Sequence, residues 1–326
     1  MANLRTLAAR MSEEESFGSG HSMCRGCGVP IVVRTVLASI RTPVVVVNAT
    51  GCLEVASTRY PVTAWSVPWL HVAFENSAAV ASGVESAYMA LRRKGAIHHD
   101  VTFVVFAGDG GTYDIGLQAL SGALERGHRF LYVCYDNEGY MNTGIQRSGA
   151  TPRAASTTTT PVGSESVGKS ESRKDLTEIV LAHHIPYVAQ AAISHVQDLS
   201  DKVERATKNQ STSFLNVLSA CPPGWGFEAQ DSIAMIQRAV NSGFWPLLEV
   251  IDGHWRLTSH PEPRQSVTEW FRSQKRFAHL FADHDVELLD SLEEKTETEW
   301  RRLLALEERD REWFLSPAGQ AWGLTG

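Results

Sequence analysis

Residues 101–107 (VTFVVFA), cut off by Gly108-Asp109-Gly110-Gly111, constrain the fold more than any other segment of this chain. The run is apolar without alternation, as a strand covered on both faces must be. Strands of that kind lie in parallel sheets, and parallel neighbours need crossover helices. The chain supplies both. Residues 44–47 (VVVV) and 130–135 (FLYVCY) repeat the strand pattern, and 186–189 and 214–218 repeat it more weakly. Helical periodicity falls between them, over 29–40, 75–93, 115–126, 176–183 and 196–208. Pro30 stands near the start of the first helix, where a missing N–H costs nothing. This alternation predicts an α/β fold with a doubly wound, mostly parallel sheet.

After Asp231 the alternation stops. Helices are expected over 232–242, 267–281 and 288–313, the last charge-dense with Trp300, Leu303, Leu304 and Leu306 as apolar positions. The chain thus reads as an α/β domain over 1–230 and a helical C-terminal extension over 231–326. The long final helix either packs on its own domain or lies over a partner subunit. Residues 151–172, rich in Thr, Ser, Gly and Pro, are either a flexible surface connection or a loop covering a site.

At 326 residues, 43% hydrophobic and 21% charged, the chain can bury a sizeable core. A net charge of -7 and a pI near 6.0 argue against a nucleic-acid surface. Nowhere does the sequence hold the run of about 18 apolar residues that a membrane span needs. Residues 1–17 lack the apolar region of a signal peptide. The cysteine count of 5 is odd and low, unlike a secreted disulfide scaffold, so a cytoplasmic setting is expected.

Those cysteines are placed for chemistry. Cys24 and Cys27 share one tight turn with Gly26 and Gly28, and glycine permits the close approach a bulky group demands. Cys52 follows the strand at 44–47, and Cys221 follows the strand at 214–218, ahead of Pro222-Pro223-Gly224. Both stand at strand C-termini, the edge where α/β proteins build their sites. Four thiolates so placed suit a [4Fe–4S] cluster. Two alternatives stay open: a structural zinc site, though such sites usually show two close cysteine pairs, and unconnected core thiols. Cys134, inside an apolar strand, reads as an ordinary buried thiol.

Asp109 follows a strand and is flanked by Gly108, Gly110 and Gly111. Small residues let a phosphate approach the main chain, and the helix that follows offers free N–H groups. Asn137 follows the next strand, so its amide oxygen converges on the same sheet edge. One carboxylate, one amide oxygen and the Gly139 carbonyl suit Mg²⁺, which takes oxygen ligands and phosphate partners. Residues 139–144, with Tyr140, Asn142 and Thr143, would wrap a diphosphate. Asn142 and Thr143 also offer hydrogen bonds to substrate, as candidate catalytic residues. The bland alternative is a glycine turn and an unrelated asparagine.

Taken together, the stretches HSMCRGCG, NATGCLEVASTRYPVTAWSVPWLHVAFENSAAVASGVE, GDGGTYDIGLQALSGALERGH, YDNEGYMNTGIQRSGATP and ACPPGWG resemble the 2-oxoacid:ferredoxin oxidoreductase family, specifically the β subunit of pyruvate:ferredoxin oxidoreductase (pyruvate synthase). They lie in one order between Gly18 and Phe227. The likeness extends to relatives acting on branched-chain oxoacids, phenylglyoxylate and oxalate. It implies a thiamine-diphosphate-binding fold, with Asp109 and Asn137 matching the family's Mg²⁺ ligands and Cys24, Cys27, Cys52 and Cys221 its [4Fe–4S] ligands. Relatives often carry another polar residue where Asn137 stands, and either supplies an oxygen.

The resemblance further implies CoA-dependent oxidative decarboxylation of a 2-oxoacid, pyruvate first, with electrons passed to ferredoxin or flavodoxin, or the reverse synthesis. It assigns the glutamate that activates the cofactor to a partner α subunit, and further ferredoxin-like clusters to separate γ and δ subunits. Thr50, Gly51 and His71 are candidate thiamine contacts, His71 also reading as a structural histidine. Glu75 and Asn76 share that ambiguity, and Glu54 reads as a helix cap. Trp65, Trp69 and Trp225 are core aromatics or the wall of a dry pocket. Lys169 and Arg173 are either CoA-phosphate contacts or solvated charges.

Overall fold

The computed structural model describes residues 4–13, 15–208, 211–282 and 286–323. Helices α1 (Leu4–Glu13) and α2 (Val29–Ser39) precede β1 (Val44–Ala49), α3 (Cys52–Ser57) and β2 (Trp69–Val72). Then come α4 (Ser77–Arg93), β3 (Thr102–Gly108), α5 (Leu117–Glu125) and β4 (Leu131–Asp136). A small hairpin, β5 (Val162–Gly163) and β6 (Ser166–Val167), interrupts the connection to α6 (Leu176–Leu181), β7 (Tyr187–Ala192), α7 (Val196–Lys208) and β8 (Ser213–Leu218). The remainder is α8 (Pro222–Trp225), α9 (Ser232–Asn241), β9 (Leu248–Ile251), β10 (His254–Leu257), α10 (Val267–Arg272), α11 (His279–Ala282), α12 (Val286–Leu315) and α13 (Pro317–Ala321).

The main sheet is 8-stranded, in the order β10-β9-β7-β8-β4-β3-β1-β2. From β2 to β7 every pair is parallel, and β9 and β10 join antiparallel. Alternate side chains feed two apolar layers. Val46, Val104, Val133 and Leu215 pack toward α2, α7 and α9. Val47, Val105, Tyr132 and Phe214 pack toward α4, α5 and α6. Full burial of each such side chain contributes ~1.5–3 kcal/mol. Cys134 belongs to the second layer and is 0% exposed, as expected of a core thiol.

The expected parallel strands and the α/β architecture are present. Strand β2 and the hairpin β9–β10 were not anticipated. Glu249 interrupts the apolar run of β9 and hides it from a hydrophobicity reading. It is buried because Tyr187 Oη (2.8 Å), Arg205 Nε (2.9 Å) and Arg256 Nη2 (2.9 Å) all meet its carboxylate. The single helix expected over 267–281 is instead broken into α10, a short turn at Lys275–Phe277 and α11. The break turns Arg276 inward.

Residues 151–172 are not a flexible connection. Thr151, Ala154 and Ala155 are fully buried, and the base of the segment is closed by Ala154 N–H to Lys169 O (2.7 Å) and Lys169 N–H to Ala155 O (3.1 Å). The long α12 packs on its own chain through Trp300 and Leu303 against Trp255 and Leu257. Its Asp310 and Glu307 carboxylates accept the outward N–H groups of Trp255 and Leu257, each at 2.8 Å. An edge strand that would otherwise offer free donors is thereby covered. No helix among the described residues is long and apolar enough to cross a membrane.

Candidate functional site

Strand β1 pairs with β2 on one side and β3 on the other, so the chain reverses its winding direction there. Crevices at such reversals, beyond the strand C-termini, are where α/β sheets hold ligands. The register sets Gly108 of β3 beside Tyr135 of β4, and Asp136 of β4 beside Leu218 of β8. The residues that follow these strands therefore share one edge. A cavity of about 130 Å³ lies there. Thr50, Gly51 and Cys52 form one wall, and Asp109, Asn137 and Gly139 another. Gly108, Gly110, Tyr140, Asn142 and Thr143 complete the set expected from sequence. Met141, within the expected 139–144 segment, lines it too, and Phe74 and Tyr135 line it without having been anticipated.

Asp109 sits at the turn into a short π-helix, Gly110–Asp114, that precedes α5. Such turns recur at functional sites. Asp109 is 1% exposed. Its Oδ2 accepts from Ser148 Oγ at 2.5 Å and its Oδ1 from the Asn137 backbone N–H at 3.3 Å. Burial first, then the neighbouring Asp136 carboxylate, pushes its carboxyl well above the usual range.

The Asn137 side-chain oxygen stands 2.9 Å from Asp109 Oδ1 and 3.0 Å from the Gly139 carbonyl oxygen, acceptor against acceptor. Two arrangements relieve that contact. The amide can turn and donate to both oxygens, or a hard cation can sit among the three. Mg²⁺ demands an octahedron with bonds of ~2.0–2.1 Å, whose edges are ~2.9 Å. The two contacts of the Asn137 amide, 2.9 and 3.0 Å, match that edge. Cation binding would also reverse the unfavourable charging of Asp109.

A buried charge network supports this wall. Tyr113 Oη donates to Asp136 Oδ2 at 2.6 Å, and Arg173 pairs with Asp136 and with Glu138 Oε1 at 2.8 Å. Arg276, from the turn after α10, meets the other Glu138 oxygen and lies 4.4 Å over the Trp225 ring. Trp225 Nε1 donates to the Asn137 carbonyl at 2.8 Å, which fixes the backbone that presents the amide. Burial holds the Glu138 carboxyl above its ordinary range, against the pull of Arg276 and Arg173. Ser148, Asp136, Glu138 and Arg276 were missed because a lone hydroxyl or charge in sequence does not announce that its partner lies far along the chain.

The cysteines are brought to the same edge. Gly26 has φ 72°, and a Cβ there would stand 2.3 Å from the Ala229 carbonyl, so only glycine closes this turn. Gly28 N–H donates to the Ala220 carbonyl at 3.1 Å, which seats the Cys24–Cys27 turn beside Cys221. Burial raises Cys27 and Cys52 to about 12 and Cys221 to about 11, and each thiol also feels the charge of others in the group. Cys24 is exposed. Among the described residues no three His, Cys, Asp or Glu side chains close on one ion position. The oxygen trio contains one such side chain, its other members being amide and carbonyl oxygens, and a four-iron cube would hold each thiolate at a separate corner.

Other expected residues are placed differently. His71 does not line the cavity. Its Nε2 pairs with Thr50 Oγ1 at 2.7 Å, so it reaches the site only through Thr50. Gly111 lies behind the wall against Phe74. Asn142 and Thr143 are exposed at the mouth, and the Thr143 hydroxyl is engaged by Gln146 Oε1 at 2.5 Å. Arg173 is locked into the carboxylate network, and Lys169, 1% exposed, donates to the Thr151 carbonyl at 2.6 Å. Neither is a free phosphate contact or a solvated charge. Trp65 and Trp225 are core residues at 7% and 0% exposure.

Residues 49–217 match the family model described as "Thiamine pyrophosphate enzyme, C-terminal TPP binding domain". Fold and site together therefore define a thiamine-pyrophosphate-binding domain. The chain is 51% identical over 271 residues to pyruvate synthase subunit PorB of Methanothermobacter thermautotrophicus, covering 83% of this chain and 92% of the relative. Against the Thermotoga maritima subunit of the same name, identity is 48% over 314 residues, with 94% and 97% covered. Ketoisovalerate oxidoreductase subunit VorB of Pyrococcus abyssi is 39% identical over 300 residues, with 90% and 94% covered. A solved 2-oxoglutarate:ferredoxin oxidoreductase from Magnetococcus marinus superposes with TM-score 0.54 at 23% identity, covering 63% of this chain and 67% of that chain, a likeness of fold alone. The chain belongs to the family of pyruvate synthase PorB subunits, the β subunits of 2-oxoacid:ferredoxin oxidoreductases.

Proposed function

We propose that this chain, joined to an α subunit, carries out CoA-dependent oxidative decarboxylation of pyruvate to acetyl-CoA and CO₂, with electrons leaving to ferredoxin or flavodoxin, or the reverse synthesis. One observation carries the reading: a single cavity is lined both by Asp109, Asn137 and Gly139 and by Cys52. The oxygen trio would hold Mg²⁺ and so anchor the diphosphate of thiamine diphosphate. Cys24, Cys27, Cys52 and Cys221 would hold a [4Fe–4S] cluster. When bound, the thiamine cofactor supplies the electron sink for decarboxylation and the cluster a one-electron store beside it.

The chain's own residues position and shield. Gly108 and Gly110 let the Tyr135 and Tyr140 rings pack close on the turn, and Tyr140, whose Oη donates to Asp114 Oδ2 at 3.1 Å, holds the wall beside Gly110. Phe74 and Met141 make the rest of that wall apolar and help to exclude water. Asn142 and Thr143 stand at the mouth, where substrate would enter. In this proposal the glutamate that activates the cofactor comes from the α subunit. Ferredoxin-like γ and δ subunits and a cytoplasmic location belong to the same proposal. So does a subunit-contact role for residues 231–326, supported by the outward Leu304 and Leu315 of α12, 38% and 63% exposed.

A second reading, a different 2-oxoacid such as a branched-chain one, is favoured by the 39% identity to the ketoisovalerate subunit. The test is dye reduction by the copurified complex with CoA and a panel of pyruvate, 2-oxoisovalerate, phenylglyoxylate and oxalate. Pyruvate turning over fastest supports the first reading. Faster turnover of any other acid replaces it, and no CoA-dependent reduction with any of them ends both.

A further inference from the structure

Tyr135 has no part in the assignments above, yet it lines the same cavity and is 2% exposed. Its hydroxyl has no hydrogen-bond partner among the described residues. A buried hydroxyl left unpaired costs on the order of 1–3 kcal/mol, so it normally marks a missing acceptor or donor. The position of the hydroxyl narrows the choice. A Cβ added to Gly51, the residue before Cys52, would stand 3.2 Å from Tyr135 Oη. The ring packs on Gly108, whose added Cβ would meet it at 3.2 Å. The hydroxyl therefore lies against the turn that carries Cys52. Any pull of the Leu53 backbone N–H on the phenolic oxygen involves that oxygen's lone pairs and leaves the hydroxyl proton without an acceptor.

We propose that the Tyr135 hydroxyl donates a hydrogen bond to the Cys52 sulfur when that cysteine is a cluster ligand, and so raises the cluster's reduction potential. This rests on the cluster assignment made above. An added electron increases negative charge on the ligating sulfurs, so a donor stabilises the reduced form more than the oxidised form. Tyr135 is a positioning residue in this account, acting through Cys52.

The experiment is a redox titration, followed by electron paramagnetic resonance, of the complex carrying Tyr135→Phe. Phenylalanine keeps the ring against Gly108 and removes only the donor. The expected result is unchanged iron content and thiamine diphosphate affinity, with the potential shifted down. A tenfold change in the reduced-to-oxidised ratio corresponds to ~59 mV for one electron. Site-specific replacement of Tyr135 by 3-fluorotyrosine, a stronger donor of the same shape, should shift the potential up, and decides the matter if the phenylalanine variant loses iron. Unchanged potential in the loaded variants overturns the proposal. So does a loss of oxoacid turnover without a potential shift, which would direct the hydroxyl to substrate. Wild-type complex without iron would sink the cluster assignment itself, a result distinct from either.

Discussion

One end of the Asn137 amide stands 2.9 Å from the Asp109 Oδ1 carboxylate oxygen and 3.0 Å from the Gly139 carbonyl, where either its N–H donates to both or its oxygen shares a cation with them. Two acceptors do not approach so closely without something positive between them or a rotated amide. Asp109→Asn should abolish the negative charge while keeping the shape. Mg²⁺-dependent binding of thiamine diphosphate, followed by calorimetry, should weaken by more than ~100-fold. The unliganded chain should become more resistant to urea, because a carboxyl whose burial opposes ionisation is removed.

Trp225 acts on the same amide at one remove, through its 2.8 Å hydrogen bond to the Asn137 carbonyl. Trp225→Phe keeps most of the packing and loses that bond. Residues that orient metal ligands typically contribute 10–100-fold to affinity, so a loss of about tenfold in Mg²⁺ affinity is expected. Unchanged affinity would show that the Asn137 backbone is held by other means.

Glu138 is fully buried between Arg173 and Arg276. Removing one partner of a buried pair typically costs ~3–5 kcal/mol. Arg276→Met should therefore lower the urea midpoint sharply. Glu138→Gln combined with Arg276→Met should recover part of the loss, since the two residues form one network.

Cys52→Ser should strip iron and visible absorption from the complex, whereas Cys134→Ser, altering a thiol in the apolar layer beside Val105 and Tyr132, should leave both intact. Equal iron loss in the two variants would point to general unfolding rather than to a ligand.

His195, at the start of α7, is held below its ordinary range chiefly by burial, with Lys202 adding to the effect and Asp198 opposing it. The unfolded chain then takes the proton more readily than the folded one. Stability is fully present above the unfolded value of ~6.5 and falls as the pH drops below it. Urea midpoints at pH 7.5 and 5.5 should differ less in His195→Gln than in the wild type.

Much of this site is legible in the sequence because its residues follow strands. Asp109 after β3, Asn137 after β4, Cys52 after β1 and Cys221 after β8 each declare their edge through the apolar run before them. What escapes is whatever depends on distant pairing. Glu249 looks like a break in an apolar run until Arg205 and Arg256 are seen to neutralise it, and β9 is lost with it. Arg173 looks like a free loop cation until Asp136 and Glu138 are found beside it. Tyr135 looks like one more core aromatic of β4, and only the turn at Gly51 shows where its hydroxyl is aimed.

The most direct test of the whole account is magnetic. Manganese is loaded in place of magnesium together with thiamine diphosphate, and the relaxation of the dithionite-reduced cluster is measured by electron paramagnetic resonance. The account expects the paramagnetic ion bound by Asp109, Asn137 and Gly139 to accelerate relaxation of a cluster bound through Cys52, with the effect lost in Asp109→Asn. A reduced cluster whose relaxation is the same with manganese and with magnesium would contradict a shared cavity.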